Sequence, residues 1–305
     1  MYIFTDSPNS TNLLFPGDHQ WQIPHGGEYF NHDYLQLVSK LIKKPSFLKM
    51  ETEPEWHSLI HTEHSPFSQF DVLTKITNNG TDLPDGILCH ADSGHSFHGQ
   101  KNRSWEAKKG NIHLSVFLTP NIFPEGMNSK FLTMGVSSVI ETIDSFPELK
   151  GKAMIKWPND IFIGQSKVGG ILTQCFSSEN KIRAVVLGIG LNVETPPKIS
   201  GDKFTPQAGS LKDYSKSINF KNVFLTLLKS LFTCYRLVKK NHNKHHYDLY
   251  NKRSMIIGKN CAVYITDEIK PDIKGKVTGL GDDLELIFKN NPQPIRSGRL
   301  EILDY

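Results

Sequence analysis

Lys156-Trp157-Pro158-Asn159-Asp160 and, a short step later, Lys167-Val168-Gly169-Gly170-Ile171-Leu172 decide how this chain is read. Pro158 fixes its own φ and biases Trp157 towards extended backbone. Asn159 and Asp160 are thereby presented at the end of a short apolar segment, Ala153 to Ile155, and Gly164-Gln165 reads as the turn of a β-hairpin joining the two runs. Gly169 and Gly170 lack a Cβ, so a ligand can reach the main chain directly beside the Lys167 ammonium. A cation, a carboxylate, an amide and bare backbone together suit a bound anion such as a phosphate with its metal. Either run alone reads equally well as a plain hairpin with a surface lysine. A third run, Gly188-Ile189-Gly190-Leu191-Asn192-Val193, follows.

In this order the three runs resemble the biotin protein ligase (holocarboxylase synthetase) family of the biotin/lipoate ligase superfamily. That family is marked by K-W-P-N-D, then K-[VL]-[GA]-G-I-L, then G-x-G-x-N. The resemblance covers roughly residues 66–305 and is strongest between Trp105 and Val193. Lipoate ligases share the fold but usually lack the Trp-Pro pair, which favours biotin. The resemblance implies an α+β fold: a mixed or antiparallel sheet packed by helices, in a class II synthetase-like ligase core, with a small C-terminal SH3-like β-barrel.

Composition agrees with such an enzyme. The chain has 305 residues, 22% charged and 38% hydrophobic, with a formal net charge of +4. It is globular in composition, and no apolar run approaches the ~18 residues that span a bilayer. The start, Met1 to Ser7, has no basic segment followed by an apolar core, so a secretory signal is not expected. No Lys/Arg block marks a nucleic-acid footprint. Cys89, Cys175, Cys234 and Cys261 have no C-x-x-C spacing, so reduced thiols in a cytoplasmic protein are expected.

Three parts are expected: an N-terminal extension of unknown role over 1–65, a biotin/lipoate-ligase-type catalytic domain over 66–253, and the barrel over 254–305. In the extension only Asp33 to Lys44 repeats apolar residues at helical spacing, too little for a winged-helix repressor module. Gly86–Cys89, Ile112–Leu118 and Ile182–Val193 read as strands, as does Phe70–Leu73; Lys130–Ile143 and Phe220–Lys240 read as helices. His57, His61 and His64 would share a helical face, and His90, His95 and His98 lie in or near a loop. Neither group has a well-spaced further ligand, so both read as solvated histidines rather than a metal site.

The chain departs from the family at its glycine loop, G-R-G-R-x-G-R-x-W, which folds over biotin and its adenylate. Here the stretch is Ser93-Gly94-His95-Ser96-Phe97-His98-Gly99-Gln100-Lys101-Asn102-Arg103-Ser104-Trp105. Anchored on Arg103-x-Trp105, the resemblance aligns Gly99 with the second glycine, Gln100 with the arginine after it and His98 with the first arginine. Gln100 brings no charge and His98 only part of one near neutral pH. The family also closes its biotin pocket with an S-T-N turn after the first core strand. Ser10-Thr11-Asn12 matches literally, but Thr77-Asn78 lies at the family's distance from the loop and is preferred. The helix that should follow appears shortened to Gly80–Asp85.

The activity so implied is ATP-dependent, AMP-forming biotin–[carboxylase] ligation through biotinyl-5'-adenylate. Lys167 and Asp160 are the implied catalytic pair. Thr77, Asn78, His98, Gly99, Gln100, Lys167, Gly169 and Gly170 are expected around biotin, and Lys101, Arg103, Trp105, Lys156, Asn159 and Asn192 around the nucleotide. ATP brings Mg2+, held mainly by phosphates with Asp160 as a candidate ligand. The implied partner is the biotin carboxyl carrier domain of a carboxylase, docking on a sheet edge expected at Ile112–Leu118, which a homodimer would also use; neither membrane nor nucleic acid is expected. Two alternatives stay open: lipoate or octanoate ligation on the same fold, and a biotin-binding homologue that lost turnover with the loop arginines.

Overall fold

Residues that alternate between two faces of a strand, yet are apolar on both, require a sheet covered on both sides. Ile3 and Phe4, Leu59 and Ile60, and Val116 and Phe117 are such pairs, and the first of each joins one core while the second joins another. The structure, a computed structural model, describes residues 1–24, 30–123, 127–266, 269–289 and 291–304. In chain order its elements are β1 (Tyr2–Thr5), α1 (Pro8–Leu14), α2 (His32–Leu41), β2 (Ser46–Lys49), β3 (Ser58–Ser65), α3 (Gln69–Asn78), β4 (Ile87–Gly94), β5 (Ile112–Leu118), α4 (Met127–Asp144), β6 (Ala153–Lys156), β7 (Asp160–Ile163), β8 (Ser166–Ser178), β9 (Lys181–Leu191), β10 (Gln207–Ala208), α5 (Phe220–Lys239), α6 (Lys244–Arg253), β11 (Asn260–Tyr264), β12 (Ile273–Leu280), β13 (Leu286–Phe288), β14 (Asn291–Ile295) and β15 (Arg299–Ile302).

The large sheet is mixed and ten-stranded, in the order β2-β1-β3-β4-β5-β9-β8-β7-β6, with β10 alongside β8. The β1–β3, β3–β4 and β10–β8 pairings are parallel and the rest antiparallel. Helices α2 and α3 cover one face, burying Tyr34, Leu37, Val38 and Leu41 from the first and Phe70, Leu73 and Ile76 from the second. Helix α4 covers the other, backed by α5 and α6. It approaches the sheet so closely that a Cβ on Gly135 would lie 2.9 Å from Leu187 Cδ1. The C-terminal strands form a five-stranded antiparallel sheet, β14-β13-β12-β11-β15. It is tied to the large sheet by the Trp157 indole, whose Nε1–H donates to Leu284 O at 2.7 Å. The Tyr250 hydroxyl holds the same turn, donating to Pro158 O at 2.7 Å.

The hairpin turn at Gly164-Gln165, the strands at Ile112–Leu118 and Ile182–Val193, and the two long helices all match the sequence reading. Four expectations do not hold. Residues 1–65 are no appendage, because β1, β2 and β3 are three of the strands of the large sheet. Strands of four residues whose partners lie some fifty positions away leave little local pattern. His61 and His64 belong to a strand, not a helix. Phe70–Leu73 is helical, and α3 is the full-length helix placed at Gly80–Asp85 as a remnant. Its start carries a signal that alternation of apolar residues obscured: Ser68 caps the helix, accepting from Asp71 N, in the S-x-x-D spacing of a capping motif. Finally, β5 is an interior strand paired on both sides, every residue of it buried, so it presents no edge for a partner; the edges are β2 and β6.

One buried amide roots the chain that leaves β9. Asn111 Oδ1 accepts from Val193 N, Glu194 N and Thr195 N at 2.9, 3.2 and 3.2 Å, and its Nδ2 donates to Thr195 O at 2.7 Å. Asn111→Leu keeps the branching at Cγ but leaves Val193 N, Thr195 N and Thr195 O without this partner in a site with no exposure. The expected outcome is a loss of about 3 kcal/mol in urea denaturation, with faster amide exchange over 193–210. An unchanged midpoint would show that water replaces the amide at no cost.

Candidate active site

Register brings the sequence runs together. Across the α3-covered face, His113 of β5 lies beside Gly190 of β9, Gly190 beside Gly170 of β8, and Gly170 beside Asp160 of β7. The next row is Ser115, Gly188 and Leu172. Glycines at the centre of both rows open a trough in a face that is otherwise packed. Two rings close over it. A Cβ on Gly188 would meet the Phe70 ring at 3.2 Å, and one on Gly190 would meet the Trp105 indole at 2.6 Å. Trp105 therefore needs a glycine beneath it.

Lys167 reaches this face through a register shift. In a regular strand it would point away from Gly170, three residues on, because side chains alternate. The β7–β8 pairing slips between Ile161 and Phe162, opposing Phe162 to Lys167. Such a bulge re-aims the side chain, and Lys167 Nζ comes to 2.6 Å from Asp160 Oδ1. The pair is largely covered, directly above the Gly170 backbone. Beside it are Asn159, whose Nδ2 donates to Ile171 O, and Asn192, whose Nδ2 donates to Gly209 O at 3.0 Å. Each is buried and each keeps an Oδ1 that accepts no hydrogen bond. Both line the same cleft as Asp160, and unused buried amide oxygens are ligands that a hard cation accepts.

The glycine loop folds back as a narrow ribbon. Trp105 N donates to Phe97 O at 2.9 Å and Gly99 N to Arg103 O at 2.8 Å. The Trp105 indole N–H donates to His113 Nδ1 at 3.2 Å, while His113 Nε2–H donates to Lys108 O at 3.0 Å. This tautomer requires a neutral ring, and burial does push the His113 pKa down to about 4. His98 behaves differently. Partial burial works against its charge, but hydrogen bonds to Gly99 O and to Asp71, at 2.8 Å, raise its pKa overall. A histidine where the family has an arginine is thus held towards the cationic form by a carboxylate that α3 supplies.

His98, Gly99, Gln100, Arg103, Trp105, Asn159, Asp160, Lys167, Gly170 and Asn192 all line one cleft. Gly169, next along β8, faces the Gly190 carbonyl instead. Four expected residues lie elsewhere. Thr77 is at the far end of α3 with its hydroxyl on Leu73 O, and Asn78 beside it faces solvent. Lys101 is exposed outside the lining. Lys156 is buried at 2% exposure and its ammonium donates to Phe204 O; burial lowers its pKa to about 8. Nor does Ser10-Thr11-Asn12 line the cleft. The turn that does so is the one between β3 and α3, through Ser68. Sequence reading also missed the strap from Pro197 to Ala208 and Arg299 of β15, which complete the lining. Arg299 lies over the Phe204 ring at 3.7 Å and donates to Asp202 at 3.0 Å, so the C-terminal sheet holds the strap.

Known proteins are similar to this chain in sequence and in fold. A family model described as Biotin/lipoate A/B protein ligase family matches residues 74–192. The bifunctional ligase/repressor BirA of Bacillus subtilis (strain 168) is 26% identical over 264 residues, covering 83% of this chain and 78% of that protein. The biotin–[acetyl-CoA-carboxylase] ligase of Mycobacterium tuberculosis is 27% identical over 214 residues, covering 68% of this chain and 75% of its own. In fold, the biotin protein ligase from Aquifex aeolicus in complex with biotin and ATP matches with a TM-score of 0.62 at 21% identity, over 81% of this chain and 99% of that one. The matched segment spans the glycine rows, Asp160, Lys167 and Asn192, and over it the chain is similar to the biotin/lipoate A/B protein ligase family.

Proposed function

We propose that this chain is a biotin–protein ligase, activating biotin with ATP to biotinyl-5'-adenylate and passing the biotinyl group to a lysine of a carboxylase's biotin carboxyl carrier domain. The observation that carries the reading is the Lys167–Asp160 pair on a glycine floor, at 2.6 Å, with unused acceptors beside it. Biotin's carboxylate is a poor electrophile. It attacks the α-phosphorus of ATP, pyrophosphate leaves, and the acceptor amine then attacks the acyl carbon as AMP leaves. The first step brings two anions together, and the Lys167 ammonium is the cation placed to hold both. Asp160 orients that ammonium and is placed to receive a proton from the incoming amine. Asn159 Oδ1, Asn192 Oδ1 and Asp160 would hold Mg2+, which supplies charge neutralisation to the phosphates when bound. Trp105 offers an aromatic face to adenine, and the ribbon and strap exclude water from a mixed anhydride that hydrolyses readily.

Lipoate ligation is the competing reading. A ureido ring needs polar walls and a dithiolane chain an apolar tunnel. The cleft's lining includes Ser68, Ser115, His98 and Gln100 among its apolar walls, polar groups that suit a ureido ring. Retained Lys167 and Asp160 disfavour a homologue without turnover.

Three outcomes test the reading. Lys167→Ala should lower biotin-dependent ATP–pyrophosphate exchange by ~10²- to 10³-fold in a protein that still folds, as its circular dichroism spectrum checks. Exchange at the wild-type rate, or exchange that follows lipoate instead of biotin, would refute it. Gly190→Val should push the Trp105 indole aside and raise the KM for ATP ~10-fold, the scale of one lost base stack; an unaltered KM would remove Trp105 from nucleotide binding. The third concerns pH. His98 has a raised pKa, so its cationic hold on the intermediate is complete at low pH and fades as pH rises through that pKa. The release rate of preformed biotinyl-adenylate should therefore climb with pH in the wild type and stay flat in His98→Arg; parallel profiles would exclude His98 from retention.

A further inference from the structure

On the opposite face of the sheet, away from the trough, three potential ligands converge. His61 of β3 and His90 of β4 are direct cross-strand partners, and Asp92 follows His90 at the strand's period of two. One ligand atom from each lies within 4.8 Å of the others. His61 Nε2 is 2.9 Å and His90 Nδ1 3.8 Å from Asp92 Oδ1. Both histidines have no exposure and Asp92 has 6%.

His90 is the telling residue. Among the described residues neither of its ring nitrogens has a side-chain hydrogen-bond partner, although the ring is packed beneath Phe220 and Phe224. A buried, unpaired imidazole is costly, and a phenylalanine or leucine would fill the space without that cost. The surroundings are already arranged as ligand supports. Thr11 Oγ1 is 2.7 Å from His61 Nδ1 and 3.1 Å from Ser7 O, so it can accept the imidazole N–H while donating onward, leaving the Nε2 lone pair directed at the cluster. Ser10 Oγ donates to Asp92 Oδ2 at 2.6 Å, turning Oδ1 inward. We propose that His61 Nε2, His90 Nδ1 and an Asp92 carboxylate oxygen form a structural site for a zinc-class divalent transition-metal ion that ties α1 to the root of the glycine loop.

Two imidazoles and a carboxylate are the donor set of Zn2+ or Co2+ rather than of Mg2+ or Ca2+. The fourth position falls to a water or the second carboxylate oxygen. The site is independent of the biotin reading and lies outside the cleft.

Because the cluster is enclosed, metal enters as the chain folds. The test is to express the untagged protein in medium supplemented with Co2+, purify it, count metal by mass spectrometry and record visible and X-ray absorption. The expected result is about one Co2+ per chain with ligand-field bands and a nitrogen/oxygen shell containing two imidazoles. His90→Gln should lose the metal and melt at the temperature of chelator-refolded wild type. The exposed His64 and His95, whose rings lie 4.8 Å apart, are the control, and their double alanine variant should keep the metal. Substoichiometric metal in the wild type overturns the proposal. So does metal that survives His90→Gln or is lost in the control variant. Should His90→Gln fail to fold, the wild-type spectrum decides, since an all-oxygen or sulfur-containing shell is equally fatal.

Discussion

Absent Cβ atoms at Gly170, Gly188 and Gly190 are the constraint on which this structure depends. Glycine weakens a strand, because its backbone entropy is lost and nothing packs in return. Here the weakness is local and bounded. The strands on either side are buried on both faces, so the sheet holds its register while the glycines leave a channel along it. Phe70 and Trp105 then occupy part of the space a pair of side chains would have filled. A larger residue at any of these positions would alter the channel before it altered the fold.

Charge is concentrated beside Gly170, where Lys167 and Asp160 meet. Lys167 and Asp160 partly neutralise one another in a covered site, which limits the desolvation cost that either would carry alone. Such a pair needs surroundings that cannot relax. The bulge in β7–β8 sets the lysine's direction, Tyr250 and the Trp157 indole anchor the turn before β7, and Asn111 anchors the chain after β9. Groups distant in sequence thus act on a single ion pair. The C-terminal sheet joins them through Arg299, which holds the strap over the cleft.

The N-terminal segment acts on the same site from behind. β1 adds a parallel strand beside β3, and α1 brings Ser10 and Thr11 onto Asp92 and His61. Asp92 is two residues from Gly94, where the sheet ends and the glycine loop begins. Whatever fixes that polar cluster also fixes the root of the ribbon carrying His98, Gln100, Arg103 and Trp105. The loop's His98 is matched by a partner on another element, since Asp71 of α3 holds it.

Local chemistry was legible in the chain itself. The Trp-Pro turn, the Gly164-Gln165 hairpin, the G-x-G-x-N strand and the long amphipathic helices all follow from constraints acting within a few residues: fixed φ, missing Cβ, and a period of two or 3.6. The fold class, and the gathering of Asp160, Lys167, Gly170 and Asn192 at one site, came with the family resemblance that these runs carry. Only tertiary structure decided which of the remaining candidates could reach it. Lys156 points into the core below Phe204 and Lys101 into solvent, although each neighbours true lining residues in sequence. Thr77 lies at the wrong end of a helix whose other end, Ser68, meets the cleft. The strap, Arg299, the strands within residues 1–65 and the His61–His90–Asp92 cluster are all products of pairing across long stretches of chain. Such pairings are decided by which surfaces exclude water together, and that is a property of the assembled sheet rather than of any window of sequence.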